Sequence, residues 1–255
     1  MTAIATLLGT WQGILVDGAF VFLRIGALMA LLPAFGERTV PARVRLVLAI
    51  LFTVVVTPLS DGVRAPVDPA LYLARGGIEI VVGLALGLAL RLIFLSLQMA
   101  GTIAANVVSL SQILGGVSVD PQPAMGHILA VAGLALAVIH GLHLKAIHAL
   151  VESYAVFPGN VAPPAAALAE WGTARVAQSF ALAFSLSAPF VIASVIYNLA
   201  LGAINRAMPQ LMVAFVGAPA ITMGGLVLLF LCGPMILSVW LAAFDAVLAD
   251  PFGTR

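Results

Sequence analysis

The stretch AMPQLMVAFVGAPAITMGGLVLLFLCGPMILSVWLAAF, from Ala207 to Phe244, runs for 38 residues without a Lys, Arg, Asp or Glu. Two further stretches do the same, Val176–Asn205 and Leu92–Val119. A water-soluble domain cannot hide that much apolar chain, whereas a helix crossing a bilayer core needs only about 20 such residues. In lipid every backbone N–H and C=O must be bonded internally, so apolar segments of this length read as helices. The chain is therefore expected to be an all-α integral membrane protein.

Composition agrees. Of 255 residues 63% are hydrophobic and 8% charged, with a mean hydropathy of +1.18. Ordinary globular domains carry about 25% charged residues. A formal net charge of +1 gives no electrostatic case for nucleic acid or an acidic substrate. The one cysteine, Cys232, lies in the apolar stretch Gly225–Gly233, which excludes a disulfide framework and suits a buried, inert thiol. Met1-Thr2-Ala3-Ile4 carries no basic residue, and the first positive one is Arg24, so no cleavable signal peptide is expected. Without a Gly/Ser linker, charge block or low-complexity tail, residues 1–255 read as one membrane domain with no soluble appendage.

Proline, glycine and charge divide the chain into six to eight helices. The expected segments are Ile4–Leu32, ended by Pro33; Arg43–Thr57, ended by Pro58; a third from Leu71 to about Gly101; the less hydrophobic Ala104–Val119, closed by Asp120-Pro121-Gln122-Pro123; His127–Tyr154; Ala165–Asn205; and Met212–Leu248. The last two are expected to be broken rather than straight, because Pro189, Pro219 and Pro234 fall inside them. Broken helices at membrane depth need neighbouring helices or a cavity around them, which points to a packed assembly or a conduit. The basic loops around Arg38, Arg43 and Arg45 and around Arg64 and Arg75 are adjacent in the chain, so the positive-inside rule sets no orientation.

Polar groups inside these segments are few. Glu79, Gly83, Gly87 and Arg91 recur every four residues and form one helix stripe. Its glycines offer a small-xxx-small surface for close helix approach. A charge at the bilayer centre costs about 2.5–3.5 kcal/mol on insertion scales. Glu79 and Arg91 are therefore expected either at the two ends of a membrane helix, with Arg91 snorkelling, or in a buried contact between subunits. Asp17 and Arg24, seven apart, share a face without reaching each other. His140, His143, Lys145, His148 and Glu152 spread over half a helix circumference and contain no His-Glu-x-x-His pattern, so a polar helix end at an interface competes with a metal or proton-relay site. No nucleophile elbow, phosphate-binding loop or dinucleotide fingerprint occurs, and catalysis is not expected.

Several blocks together resemble the FliR family of flagellar export-gate proteins, which has counterparts in the injectisomes of virulence secretion. They are Arg24-Ile-Gly26, Pro33-Ala-Phe-Gly36, Val40-Pro-Ala-Arg-Val-Arg45, Glu79, Gly83-Leu-Ala-Leu-Gly87, Gln98-Met-Ala-Gly101, the Gly115 to Pro121 turn, Asn205-Arg-Ala-Met-Pro-Gln-Leu211 and Val216-Gly-Ala-Pro219. Met212-Val213-Ala214-Phe215 departs from the family pattern of a small polar residue, an aliphatic residue and Phe.

The resemblance implies a non-enzymatic channel subunit without cofactor or metal, in the bacterial inner membrane and the flagellar basal body. Its fold would be one of kinked helices and hairpins packed into a hetero-oligomeric gate, much of it lifted above the membrane plane. Implied partners are FliP-like and FliQ-like gate subunits, FlhB-like and FlhA-like export components, unfolded flagellar substrates and membrane lipid. It also implies a plug loop near Ser109–Pro123. There Gly115 and Gly116 would permit refolding, while Ile113, Leu114 and Val117, with Ser111 beside them, would seal a narrow lumen. Glu79, Gly83, Gly87, Arg91, Pro209, Gln210, Gly217 and Pro219 are the expected helix-packing or subunit contacts. Beside this stand three other readings: the injectisome counterpart, an ion-coupled transporter using the breaks at Pro189 and Pro219, and an intramembrane enzyme built on the histidines.

Overall fold

A computed structural model describes residues 2–36, 40–60, 69–109, 124–159, 161–208 and 213–253. Among the described residues there are seven α-helices and no strands. They are α1 (Thr2–Leu31), α2 (Ala42–Val56), α3 (Pro69–Ser109), α4 (Ala124–Ile139), α5 (Leu142–Val156), α6 (Ala165–Ala207) and α7 (Val213–Ala249), and a 3-10 turn, Thr57–Leu59, extends α2. The all-α expectation holds. Among the described residues five segments are each long and apolar enough to cross a membrane: Gly13–Leu31, Ala42–Leu59, Leu71–Val108, Ala165–Ala207 and Ala220–Ala249.

Local chemistry sets the ends. Helix α1 stops two residues before Pro33, and Gly36 turns back tightly enough to donate its N–H to Leu32 O at 2.7 Å. A Cβ at Gly36 would lie 2.6 Å from Ala30 O, so only glycine fits. The Pro41 carbonyl accepts the Val44 and Arg45 amides and starts α2. Hydroxyls inside the helices bond their own preceding turns, as with Thr53 to Ala49 O at 2.7 Å and Thr57 to Thr53 O at 2.7 Å. Such back-bonding leaves no hydroxyl proton facing an apolar surround.

Three sequence expectations change. The segment His127–Tyr154 is two helices, α4 and α5, bent by 70°. Gly141 makes the break with φ 79°, a left-handed conformation that glycine adopts without steric cost. The expected boundary near Gly101 vanishes, because α3 runs on to Ser109. The prolines do not end their helices either: Pro189 lies inside α6, and α7 passes through Pro219 and Pro234. A proline removes one N–H from the ladder, and surrounding helices can tolerate the freed carbonyl. At 1.5 Å per residue α3 and α6 are each about 60–65 Å long, roughly twice the hydrocarbon thickness.

Contacts gather these helices into two compact units, with α3, α4, α6 and α7 each giving residues to both. The first comprises Met1–Leu92, Val138–Arg175 and Asp245–Arg255; the second comprises Ile93–Ala137 and Val176–Phe244. In the first, α1 buries Phe20, Val21, Ile25, Leu28 and Met29, α3 buries Val82, Leu86 and Leu90, and α5 buries Leu142, Ala146 and Leu150. In the second, Trp240 and Phe244 of α7 stack at 5.4 Å, with Phe94 of α3 edge-on to both. The Trp240 indole donates to Ile93 O at 2.8 Å, which satisfies the one polar atom of a fully buried ring. Gly101 of α3 meets Gly126 of α4, where an added Cβ would come 2.8 Å from the Gly126 nitrogen, so the two backbones touch.

Candidate functional site

Arg24 is the only charged residue in the strongly buried run Phe20–Met29 of α1, and it has no exposed surface. An isolated guanidinium there would be prohibitively desolvated, so its neighbours must supply both charge and acceptors. Glu79 of α3, equally buried, accepts from Arg24 Nε at 2.6 Å. Arg24 Nη1 donates to Ser153 Oγ of α5 at 2.9 Å, and Nη2 donates to the Phe157 carbonyl just past α5, also at 2.9 Å. The guanidinium carbon lies 3.7 Å from the centre of the Tyr154 ring. One side chain thus ties together α1, α3, α5 and the turn that follows α5. The planar five-donor fork of arginine suits this role and an ammonium does not.

The node has a second cation. Arg75, one turn before Glu79, is 5% exposed, and its guanidinium carbon sits 4.5 Å from the centre of the Phe20 ring. Gly159 closes the arrangement, since a Cβ there would strike Glu79 Oε1 and lie 3.1 Å from Arg75 Nε. The node takes up all three donor nitrogens of Arg24, through Glu79, Ser153 and the Phe157 carbonyl. Its chemistry is to hold helices in register.

The stripe read from the sequence is turned toward this contact. A Cβ at Gly83 would collide with the Arg24 carbonyl and lie 2.9 Å from Ala27 Cβ; one at Gly87 would lie 2.9 Å from Leu31 Cβ. The two glycines let α3 press on α1 of the same chain, and Glu79 pairs one turn further along. Arg91 at the stripe's far end is half-buried. Gly217 of α7 plays a similar part in the second unit, where its carbonyl accepts the Tyr197 hydroxyl of α6 at 2.7 Å. Pro219 lies in α7, but its side chain falls outside the described residues, as do Pro209 and Gln210. The loop segment with Ser111, Ile113, Leu114, Gly115, Gly116 and Val117 also lies outside them.

The histidine segment divides. His140 and His143 are exposed beside the Gly141 bend. Lys145 donates to Asp245 Oδ1 of α7 at 2.6 Å, and His148 Nδ1 stands 3.8 Å from Glu152. Among the described residues no three His, Cys, Asp or Glu side chains converge as a metal site would need.

Arg24 was missed as the partner of Glu79. A signal was present: two opposite charges in separate apolar helices each need a counter-charge, and Arg91 is too far along α3 to serve Glu79. What the sequence lacked was the relative depth of α1 and α3.

Long apolar helices whose deepest charges neutralise one another within the chain define a multi-pass membrane protein built around helix packing. The chain belongs to the family described as Bacterial export proteins, family 1, whose profile matches residues 15–247. It is similar to the Flagellar biosynthetic protein FliR of Caulobacter vibrioides, 35% identical over 226 residues that cover 87% of this chain and 90% of that one. It is also similar to the proteins of the same name from Escherichia coli, 29% identical over 84% of this chain and 83% of that one, and from Bacillus subtilis, 28% identical over 86% of each.

Proposed function

We propose that the chain is a structural channel subunit of the flagellar type III protein export gate. It forms, with FliP-like and FliQ-like subunits, the conduit through which unfolded flagellar proteins leave the cytoplasm. The observation that carries this reading is the match to flagellar FliR proteins along nearly the whole chain, 35% identical over 87% of it. The architecture supports it. The innermost polar groups are spent on internal packing, while large apolar side chains such as Phe180, Phe184, Leu199, Phe230 and Met235 stand more than half exposed. Surfaces of that kind suit lipid and neighbouring apolar helices.

On this reading the protein sits in the bacterial inner membrane within the basal body, works beside FlhB-like and FlhA-like components, needs no cofactor and catalyses nothing. Residues 109–123 would supply the plug, with Ile113, Leu114 and Val117 sealing the lumen and Gly115-Gly116 allowing it to open. Co-expression with the FliP-like and FliQ-like proteins of the same organism, purified through a tag on this chain, is the test. The expected result is a stoichiometric complex. Recovery of this chain alone, folded and monodisperse, would remove the proposal.

A further inference from the structure

The Phe157 carbonyl that Arg24 uses as an acceptor lies just outside the ladder of α5. Phe157 leaves the helix with φ −128° and ψ 82°, and its own N–H is bonded back to Ser153 O at 2.8 Å. Pro158 follows and has no N–H with which to anchor the turn. The helix therefore does not by itself aim this carbonyl at Arg24. The side chain of Phe157 is held from elsewhere. Its ring meets Phe252, beyond the end of α7, edge to face at 4.9 Å, and Phe252 in turn lies 6.0 Å from the Trp171 ring of α6. Phe252 is buried. The backbone just before it is fastened as well. Trp171 Nε1 donates to Pro251 O at 3.1 Å, and Arg175 Nη2 donates to Asp250 O at 2.8 Å and to Pro251 O at 3.1 Å. Trp171 and Arg175, four residues apart, share one face of α6. A guanidinium suits that place, because a helix leaves its last carbonyls without donors of its own.

We infer that residues 250–253 form a clamp that positions the Phe157 carbonyl for Arg24, with Phe252, Trp171 and Arg175 as its positioning residues. One line of contacts then runs from Glu79 of α3 through Arg24 of α1 to Phe157 after α5, and on through Phe252 after α7 to Trp171 of α6. Five helices of the first unit meet along it. If the clamp slackens, Phe157 can turn and the buried guanidinium loses an acceptor. A stranded buried donor costs far more than a loosened ring contact, so the loss at Phe252 is amplified through the node. A clamp that served only to finish α7 would leave the node unchanged.

The test compares four forms of the solubilised full chain. They are the parent, Phe252→Leu, the pair Arg24→Met with Glu79→Leu, and all three substitutions together. A positioning role makes Phe252→Leu lower the unfolding midpoint at least twice as far in the parent as in the background lacking the Arg24–Glu79 pair. Equal lowering overturns the inference, because Phe252 would then only pack the end of α7. Hydrogen exchange gives a second reading that does not need the paired variant to fold. In Phe252→Leu the amides of residues 153–159 and 20–29 are expected to exchange at least tenfold faster than in the parent. Acceleration confined to residues 165–175 and 246–253, or none at all, overturns the inference equally.

Discussion

The two units solve the same packing problem with different materials. Of the 11 basic and 10 acidic residues, all but Asp120 and Arg206 fall within the ranges of the first unit. There α1, α3 and α5 are joined by a buried charge node with exacting geometry: Nε to Glu79, one terminal nitrogen to Ser153, the other to Phe157 O. The second unit closes on Phe94, Trp240 and Phe244 and on the glycine-to-glycine approach of α3 and α4. Polar bonds described there include the neutral Trp240 indole to Ile93 O and the chain from Asn198 through Ser194 to Val107 O. Aromatic packing tolerates graded loss, whereas a buried charge that loses its partner has no graded alternative. The first unit should therefore fail sharply and the second gradually.

The largest expected effect breaks the node. Glu79→Ala strands Arg24 without its counter-charge and should cost about 3–5 kcal/mol, seen as a collapse of membrane-extractable folded protein and of its unfolding midpoint. Replacing both partners with apolar residues, Arg24→Met with Glu79→Leu, should recover much of that loss. If the double variant were no better than Glu79→Ala, charge pairing would not be the reason for the sensitivity.

Next comes a contrast within α3. Gly83→Ala drives a methyl group into the Arg24 backbone and should cost about 1–3 kcal/mol. Gly77→Ala meets nothing within 4 Å and should stabilise by up to about 1 kcal/mol through helix propensity. Unfolding of the two solubilised variants in parallel should therefore give shifts of opposite sign, and equal shifts would remove the tight α1–α3 approach from the account.

Trp240→Phe tests the second unit. It keeps a ring in the stack but deletes one neutral hydrogen bond and leaves part of the indole's volume unfilled, for about 1–3 kcal/mol in all; a loss as large as that of Glu79→Ala would erase the contrast between the units. Asp245→Asn should be the mildest for the isolated chain, at about 0–1 kcal/mol, because its ion pair is half exposed.

Much of this was legible in the residues themselves. The charge-free run Ala207–Phe244 requires a membrane helix whatever its neighbours are, because lipid offers its backbone no partners. The α-helices α1 and α2 each stop two residues before a proline, Pro33 and Pro58, and the four-residue recurrence of Glu79, Gly83 and Gly87 marks one face by helix geometry alone. Gly141 was different. Nothing about an isolated glycine distinguishes a tolerated helix position from a left-handed break, so His127–Tyr154 read as one segment. Pro189 misled in the other direction, because whether a proline ends a helix depends on what surrounds the carbonyl it frees.

The sequence by itself determined the solvent, the helical class, the family and the face of α3 that packs, since each follows from periodicity, composition or the order of short motifs. Only the tertiary structure decided that Glu79 meets Arg24, that Gly83 and Gly87 serve α1 of the same chain, and that Lys145 pairs with Asp245. Those pairings join positions 55 and 100 residues apart. The relative depth and rotation of two helices arise from the packing of every side chain between them, and no local pattern along the chain encodes that sum.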